Sequence, residues 1–467
     1  MRKIVGFSYR FVVVVAVTLL VLAIPTPAGL SEAGKRALAA FAFTGTIFAL
    51  QPVPLPFAGL MVPVVLVALG LADSNQAFEP LARPIIILIL GSLFIAEALR
   101  KNGITRRLAL SVIVASHGNV NTLLLGLMGI AAIMSMWMEN TATAAVLIPV
   151  AITISNQVPD KESARRLLVL LVLGIAYAAS IGGMATLTGS ASNAVASEFL
   201  SAIRVWTFLD WMKYGVPSLL VVFPATYWVL LKMNPVKVKN LELGIARKEL
   251  DGLGKLRRVE REILTVMALT ISLWIGGASI ESVLGLPVTF MSPAVVGIVA
   301  VAYMSLRNII EWEDVKGVSW GMFFAISAGL ALGEALSRSG ATVWLTNLVS
   351  PIIGGSNFLL SLVFVVFASA LLTNVVNNAT VVAVFAPIMI EIARANPAFN
   401  SVQLVLPLTL ATTFGYALPS ASGRMALISA TGIIEPKDMF KYGMTMTFIS
   451  SLLLAALFYL LAALNLV

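Results

Sequence analysis

Long apolar runs dominate the chain, and short polar breaks interrupt them. Mostly apolar stretches of about 18 or more residues recur, the length an α-helix needs to cross a hydrocarbon core. The cores Phe11–Ile24 and Leu219–Leu231 with their flanks, and Phe448–Val467, are examples. They are continuously apolar rather than alternating, which excludes a β-barrel. The pattern predicts an all-α polytopic membrane protein with about 11 transmembrane helices. These are expected near residues 11–28, 35–51, 56–72, 84–100, 167–200, 211–232, 263–280, 290–306, 319–337, 403–434 and 443–465. The first reads as a retained helix rather than a signal peptide, because no small-residue cleavage site stands out. Segment 104–116 is short, basic and amphipathic, so it is expected to lie along the interface.

Two further apolar stretches, 123–157 and 358–394, are broken in the middle. The first break reads SMWMENTATAAV over 135–146, the second TNVVNNATVVAV over 373–384. Arg106 and Arg107 precede the first stretch, and Lys161, Arg165 and Arg166 follow it. A segment that enters and leaves on one side is a re-entrant hairpin, tolerated where protein or a watery cavity satisfies its backbone. Its tip falls at Glu139–Ala142.

Charge orients the chain. Hydrophobic residues make up 59%, charged residues only 11%, and the net charge is +9. Lys and Arg concentrate in Met1–Arg10, Arg100–Arg107, Asp160–Arg166, Lys232–Arg261, Arg307–Lys316 and Glu435–Lys441. The positive-inside rule places these loops in the cytoplasm, so the excess of basic residues does not signal a nucleic-acid partner. The expected location is the cytoplasmic (inner) membrane, with the N-terminus inside and the C-terminus outside. Cysteine is absent, which rules out disulfides and thiolate metal sites. His117, the one histidine, sits in the turn-like SHGN.

The charged linker 233–262 divides the chain into two related halves. FIAEALRKNG (94–103) aligns with ALGEALSRSG (331–340), SMWMENTATAAVLIPVAI (135–152) with TNVVNNATVVAVFAPIMI (373–390), and GGMATLTGSASNA (182–194) with FGYALPSASGRMA (414–426). The matches are collinear, with offsets of 237, 238 and 232 residues. With the sidedness above, the first hairpin opens inward and the second outward. That is an inverted repeat, the architecture of secondary transporters. Each half also interrupts a crossing helix, at Thr188–Asn193 (TGSASN) and Pro419–Arg424 (PSASGR). Half-helix N-termini favour anions and freed carbonyls favour cations, so four such breaks can build one polar site. Scattered hydroxyls such as Ser180 and Ser369 read as interhelical glue. Glu97 and Glu334, at equivalent repeat positions, read as capping or interface residues. Asp210 and Trp211 read as an interfacial anchor, and Trp137 as packing for the hairpin tip.

At these residues the chain resembles the divalent anion/sodium symporter (DASS) family of di- and tricarboxylate and sulfate transporters. The resemblance runs from PVPLPFAGLMVPVVLVALG through PIIILILGSLFIAEALRKNGITRRLAL, SMWMENTATAAVLIP and IAYAASIGGMATLTGSASN to the second hairpin and final crossing. It implies a homodimeric elevator in the lipid bilayer. Scaffold helices would come from 1–80 and 263–316, and transport-domain halves from 84–204 and 319–434. The crossing helix 205–232 and terminal helix 435–467 complete it. The family's Ser-Asn-Thr motif falls in each hairpin and its Thr-Pro-Pro-Asn loop in each broken helix. By resemblance, a first sodium site uses Ser135, Glu139, Asn140 and the loop around Gly189. A second uses Thr373, Asn377, Asn378 and the loop around Ala421. A small anionic substrate would meet Asn140, Thr141, Ser190, Asn378 and Ser422. No cofactor is implied beyond sodium as a coupling ion.

The sequence departs from that pattern at the site. Glu139 stands for the first motif's Ser, and Asn377 and Ala379 for the second's Ser and Thr. The loops read Ser190-Ala191-Ser192-Asn193 and Ser422-Gly423-Arg424-Met425. Glu139 can strengthen a sodium site, carry a coupling proton, or pair with Arg424. Arg424, costly to leave unpaired at midplane, can also grip a substrate carboxylate, or snorkel toward the cytoplasm as part of a basic loop. A pair that opens when an anion claims Arg424 would let arginine stand in for a sodium, favouring exchange or proton coupling. The expected function is therefore dianion transport, with C4-dicarboxylates such as succinate, malate or fumarate, or 2-oxoglutarate, as substrates. Sodium symport and exchange stay open, and sulfate or another oxyanion is the alternative. An anion channel is the rival of another class. No catalytic His, Cys or paired Asp supports an enzyme.

Overall fold

The structure, a computed structural model, describes residues 9–238, 241–287, 289–353 and 357–467. Residues 1–8 of the basic N-terminal segment, and 239–240 of the linker, lie outside the described residues. Every regular element among the described residues is a helix. The expected early spans form helices Tyr9–Ala23, Glu32–Leu50, Leu55–Ala68 and Pro84–Lys101, followed by the short helix Ile104–Ala115. The later ones form Phe208–Met233, Arg258–Leu284, Pro293–Leu306, Trp320–Arg338 and Pro436–Ala463. The protein is thus a polytopic α-helical membrane protein. Six described helices are each long and apolar enough to cross a membrane, or seven with the pair Ser74–Ala82 and Pro84–Lys101 counted as one bent span. Several of the eleven spans read from the sequence are shorter apolar helices, such as Tyr9–Ala23, Leu55–Ala68 and Pro293–Leu306, while the six include Lys161–Gly183 from one broken crossing and Asn378–Ala395 from the second hairpin.

Both polar breaks form helical hairpins. The first joins Val120–Ser135 to Asn140–Ser155, the second Phe358–Leu372 to Asn378–Ala395. Short polar side chains offer the backbone local partners, so they end one helix and start the next. Asn377 does this directly, its Oδ1 accepting from the Ala379 N–H at 2.9 Å. Both predicted crossings are also broken. Lys161–Gly183 gives way to a turn at Leu187–Gly189 and resumes at Ala191–Ser201. Ser401–Ala411 gives way to turns at Thr412–Phe414 and Pro419–Ala421 and resumes at Gly423–Ala430. Ser190 and Ser422, at equivalent positions, are extended just before each restart, with φ of −150° and −168°.

The halves interlock. Each hairpin packs on the first part of its own broken crossing, while Ala191–Ser201 packs on Asn378–Ala395 and Gly423–Ala430 on Asn140–Ser155. One tether recurs at equivalent positions. Thr188 Oγ1 donates to the Met136 carbonyl at 3.1 Å, and Ser420 Oγ to the Asn374 carbonyl at 3.2 Å. Between the halves, Ser180 Oγ donates to the Thr413 carbonyl at 2.5 Å, and the Tyr177 and Tyr416 rings lie 4.4 Å apart. Ser180 is therefore glue, as expected.

Several local readings change. Trp211 is no interfacial anchor: it is buried, and its Nε1 donates at 2.9 Å to the Met184 carbonyl freed by the first break. Asp210 closes a capping box with Thr207. Trp137 does pack the hairpin tip, 6.2 Å from Phe208 and 6.3 Å from Trp274. Glu97 pairs with Arg100 at 2.5 Å, and Glu334 pairs with Arg83 and with Arg338. The linker holds an unforeseen helix, Gly244–Leu253, that packs on Ile104–Ala115. Its charges hid a short apolar stripe, and Arg106–Glu249 (2.8 Å) and Arg107–Glu260 (3.2 Å) clamp the region. Helix Ala341–Ile353 was also unassigned, although the 237-residue offset carries Ile104 to Ala341.

Interhelical hydrogen bonds of this kind are worth roughly 0.6 kcal/mol on average and up to about 1.7 in membranes. Thr188→Val and Ser420→Ala are expected to lower stability by amounts in that range. Thermal unfolding in detergent measures this, with exposed Thr445→Val, whose hydroxyl bonds its own helix, as the unchanged control.

Candidate functional site

The hairpins and breaks meet at one cavity of ≈ 640 Å³. Four helices begin at its wall. Asn140–Ser155 contributes Glu139, Asn140 and Thr141; Asn378–Ala395 contributes Asn377 and Asn378. Ala191–Ser201 contributes Gly189, Ser190 and Ala191; Gly423–Ala430 contributes Ala421, Ser422 and Arg424. Each start presents N–H groups that lack intrahelical partners, and each carries the positive end of a helix dipole. In the first half neither Glu139 nor Ser190 caps its helix through the side chain. In the second half Asn377 and Ser422 both do. The chain therefore gathers positive backbone potential with few other claims on it in the first half.

Of the residues singled out from the sequence, the cavity wall holds Glu139, Asn140, Thr141, Gly189, Ser190, Asn377, Asn378, Ala421, Ser422 and Arg424. Ser135 and Thr373 lie just behind it and are fully buried. The opposite wall was not foreseen. It comprises Arg10, Met322, Ala325 and the bend between Glu32–Leu50 and Leu55–Ala68. Arg10 was visible only as one more basic residue of an N-terminal segment. The bend at Gln51, with φ of +44°, followed by Pro52-Val53-Pro54, was a readable signal of a break.

Behind the wall, the first half forms an oxygen-lined cage. Ser135 Oγ and Asn140 Oδ1 are buried without a partner among the described residues. A Cβ on Gly183 would lie 2.7 Å from Asn140 Oδ1 and 2.8 Å from the Gly189 carbonyl. One on Gly189 would lie 2.5 Å from the Gly183 carbonyl and 2.9 Å from the Ser135 carbonyl. Two glycines thus let the backbone and these oxygens approach closely, and the acceptors gathered there, two of them unpartnered, fit a bound sodium. Asn193 braces the cage, its Nδ2 donating to the Gly183 and Thr186 carbonyls at 2.7 and 2.8 Å.

The corresponding set in the second half does not fit one. Thr373 Oγ1 already bonds the Thr412 carbonyl at 3.0 Å and Asn378 Oδ1. Asn377 spends its oxygen on Ala379, and Ala421 adds a methyl where the first half has Gly189.

Two expectations about charge are also corrected. Glu139 and Arg424 form no ion pair among the described residues. Glu139 Oε2 instead accepts from Ser319 Oγ at 2.6 Å, at the start of helix Trp320–Arg338. That hydroxyl is supplied by the other half. Arg424 is 2% exposed rather than extended toward water, and its Nη2 donates to the Thr413 and Gly415 carbonyls at 3.3 and 3.4 Å. Its Nε has no partner among the described residues.

A helical membrane protein whose broken helices converge on one polar cavity belongs to the class of membrane transporters. More narrowly, the chain belongs to the DASS family: the family model described as "Sodium:sulfate symporter transmembrane region" matches residues 7–464. An uncharacterized transporter of Haemophilus influenzae is 30% identical over 430 residues, 91% of each chain. The sodium-dependent dicarboxylate transporter SdcS of Staphylococcus saprophyticus is 28% identical, covering 93% of this chain and 87% of the relative. Among solved structures, Neisseria gonorrhoeae MtrF aligns with a TM-score of 0.55 at 13% identity, over 98% of this chain and 95% of that one. Alcanivorax borkumensis YdaH aligns at 0.54 and 14%, over 98% and 99%. At that identity the two structures speak for the fold alone. The relatives are transporters, not enzymes.

At the cavity the halves come into close contact where Gly423 meets Thr141. A Cβ on Gly423 would stand 2.7 Å from Thr141 Oγ1 and 3.0 Å from its Cγ2. Gly423→Ala is expected to cost roughly 1–3 kcal/mol, as overpacking does. Thr141→Ala should recover most of it, and a double-mutant cycle of thermal unfolding checks the coupling.

Proposed function

We propose that the protein is a secondary transporter of small dicarboxylates such as succinate, malate, fumarate or 2-oxoglutarate. The observation that carries this reading is the convergence of four helix N-termini and a buried arginine on one cavity. Asn140, Thr141 and Ser190 present one pole, and Asn378, Ser422 and Arg424 the other. Two poles related by the repeat suit an anion with a carboxylate at each end. Sulfate, the substrate in the family description, has a single centre of charge and would leave much of a ≈ 640 Å³ cavity to water. The dicarboxylate named for SdcS supports the same choice.

Coupling goes through sodium at the cage of Ser135, Asn140 and Gly189. A sodium there neutralises part of the substrate charge and fixes the start of helix Asn140–Ser155, so each ligand favours the other. The protein works as a homodimeric elevator in the inner membrane, N-terminus inside and C-terminus outside. The segments 84–204 and 319–434 form the moving part, and 1–80 with 263–316 the fixed part. On that sidedness the wall beside Arg10 and Gln51 lies toward the cytoplasm, the release side for uptake. Exchange of internal for external dicarboxylate is a second mode. The buried guanidinium favours it, because an empty carrier must move that charge without its counter-anion.

Uptake of labelled succinate into proteoliposomes tests the proposal. Saturable uptake driven by a sodium gradient, accelerated by internal dicarboxylate and weakly inhibited by sulfate, is expected. Arg424→Gln should weaken substrate binding by roughly 2–5 kcal/mol, the cost of leaving a buried charge unmatched. Complete competition by sulfate at equal concentration would reassign the substrate. A macroscopic current without counterflow would make the protein a channel.

A further inference from the structure

The halves use the same backbone in different ways. The repeat offsets carry Ser135 to Thr373, Asn140 to Asn378, Gly183 to Gly415, Gly189 to Ala421 and Ser192 to Arg424. In the first half acceptor oxygens crowd closely around Gly183 and Gly189, and two buried side-chain oxygens have no partner among the described residues. In the second half methyl groups stand at the corresponding place. A Cβ on Gly415 would meet Thr373 Cγ2 at 3.1 Å and the Ala421 methyl at 3.3 Å. The Thr373 hydroxyl is engaged with Thr412 and Asn378. The Gly415 carbonyl, the counterpart of Gly183, accepts from Arg424 Nη2 at 3.4 Å, and the Thr413 carbonyl at 3.3 Å.

Carbonyls freed by a broken helix attract positive charge, whether it comes as a bound ion or as a tethered guanidinium. Arginine stays charged when buried, so it supplies that charge permanently. An ion beside it would be repelled at short range in a poorly screened interior.

We propose that Arg424 is the built-in cation of the second half, and that sodium binds in the first half alone, at the cage of Ser135, Asn140, Gly183 and Gly189. The proposal rests on the sodium coupling inferred above, and replaces the second sodium site that the family resemblance implies. The carrier then moves a dicarboxylate with one sodium and one arginine.

Equilibrium binding of radioactive sodium to the purified full-length protein tests it, with thermal unfolding in parallel to report folding and the response to succinate. The wild type should bind one sodium per chain with a Hill coefficient near one. Gly189→Ala, which puts a methyl into the first cage, and Ser135→Ala should each lose that sodium while the protein stays folded. Ala421→Gly combined with Arg424→Ser installs the first half's residues in the second, and should raise the count to two. Two sodium ions on the wild type would overturn the proposal and leave sodium coupling standing. So would a sodium retained by Gly189→Ala, or a folded double variant that still binds one. No sodium on the wild type would overturn the proposal together with sodium coupling. A thermal shift with succinate would then still report dianion binding independently; its absence would count against the function itself.

Discussion

Backbone that leaves helical geometry in a membrane protein finds little water to bond, and among the described residues two hairpins and two interrupted helices of this chain leave it side by side. Each freed N–H or carbonyl must be answered from within the protein. Trp211 answers the carbonyl of Met184, Asn193 those of Gly183 and Thr186, and Arg424 those of Thr413 and Gly415. Thr188 and Ser420 answer the hairpin carbonyls of Met136 and Asn374. The paired bonds at repeat-related positions hold each hairpin tip against its own broken crossing. The site lies among the same breaks, where the Ser135 and Asn140 side-chain oxygens are buried without a partner among the described residues.

The same requirement explains why the two halves can diverge while keeping one architecture. A freed carbonyl is satisfied equally by an amide, a guanidinium or an ion. The repeat therefore conserves the break and varies the partner. The first half uses glycines and leaves oxygens open, whereas the second fills the equivalent space with methyls and a guanidinium. Capping diverges in the same direction, with side chains closing the helix starts of the second half and not those of the first. In the proposed cycle the asymmetry matters, since a fixed charge would travel with the protein in every step and an ion only in the loaded ones.

Glu139 illustrates how a residue's role can turn on its neighbours. At the start of helix Asn140–Ser155 its charge is favourable to the helix dipole. In a cavity built for anions the same charge would oppose the ligand. The Ser319 hydroxyl, delivered by a helix of the other half, donates to the carboxylate and fixes it on the cavity wall. Arg10 adds positive charge to the opposite wall, with its Nη1 on the Leu50 carbonyl at 3.3 Å.

By itself the sequence determined the class, the hairpins, the broken crossings and the cavity residues that these four breaks supply, but not the wall formed by Arg10, Gln51, Met322 and Ala325. Apolar length, polar interruption and internal repetition are local properties, and the bilayer penalises any other reading of them. Local pattern also misled where charge hid an apolar stripe, as in Gly244–Leu253, or where Trp211 was read by its place at a helix start. The pairings were decided by the tertiary structure. Whether Glu139 meets Arg424 or Ser319 depends on segments far apart in the chain, and whether a carbonyl already holds a guanidinium depends on how the broken crossing folds back on itself, Arg424 lying only 11 and 9 residues from Thr413 and Gly415. Oppositely charged residues on a shared cavity wall look like a pair in sequence, but a hydrogen bond forms only within about 3 Å and at the right angle. That geometry is set by packing and by the local path of the broken backbone.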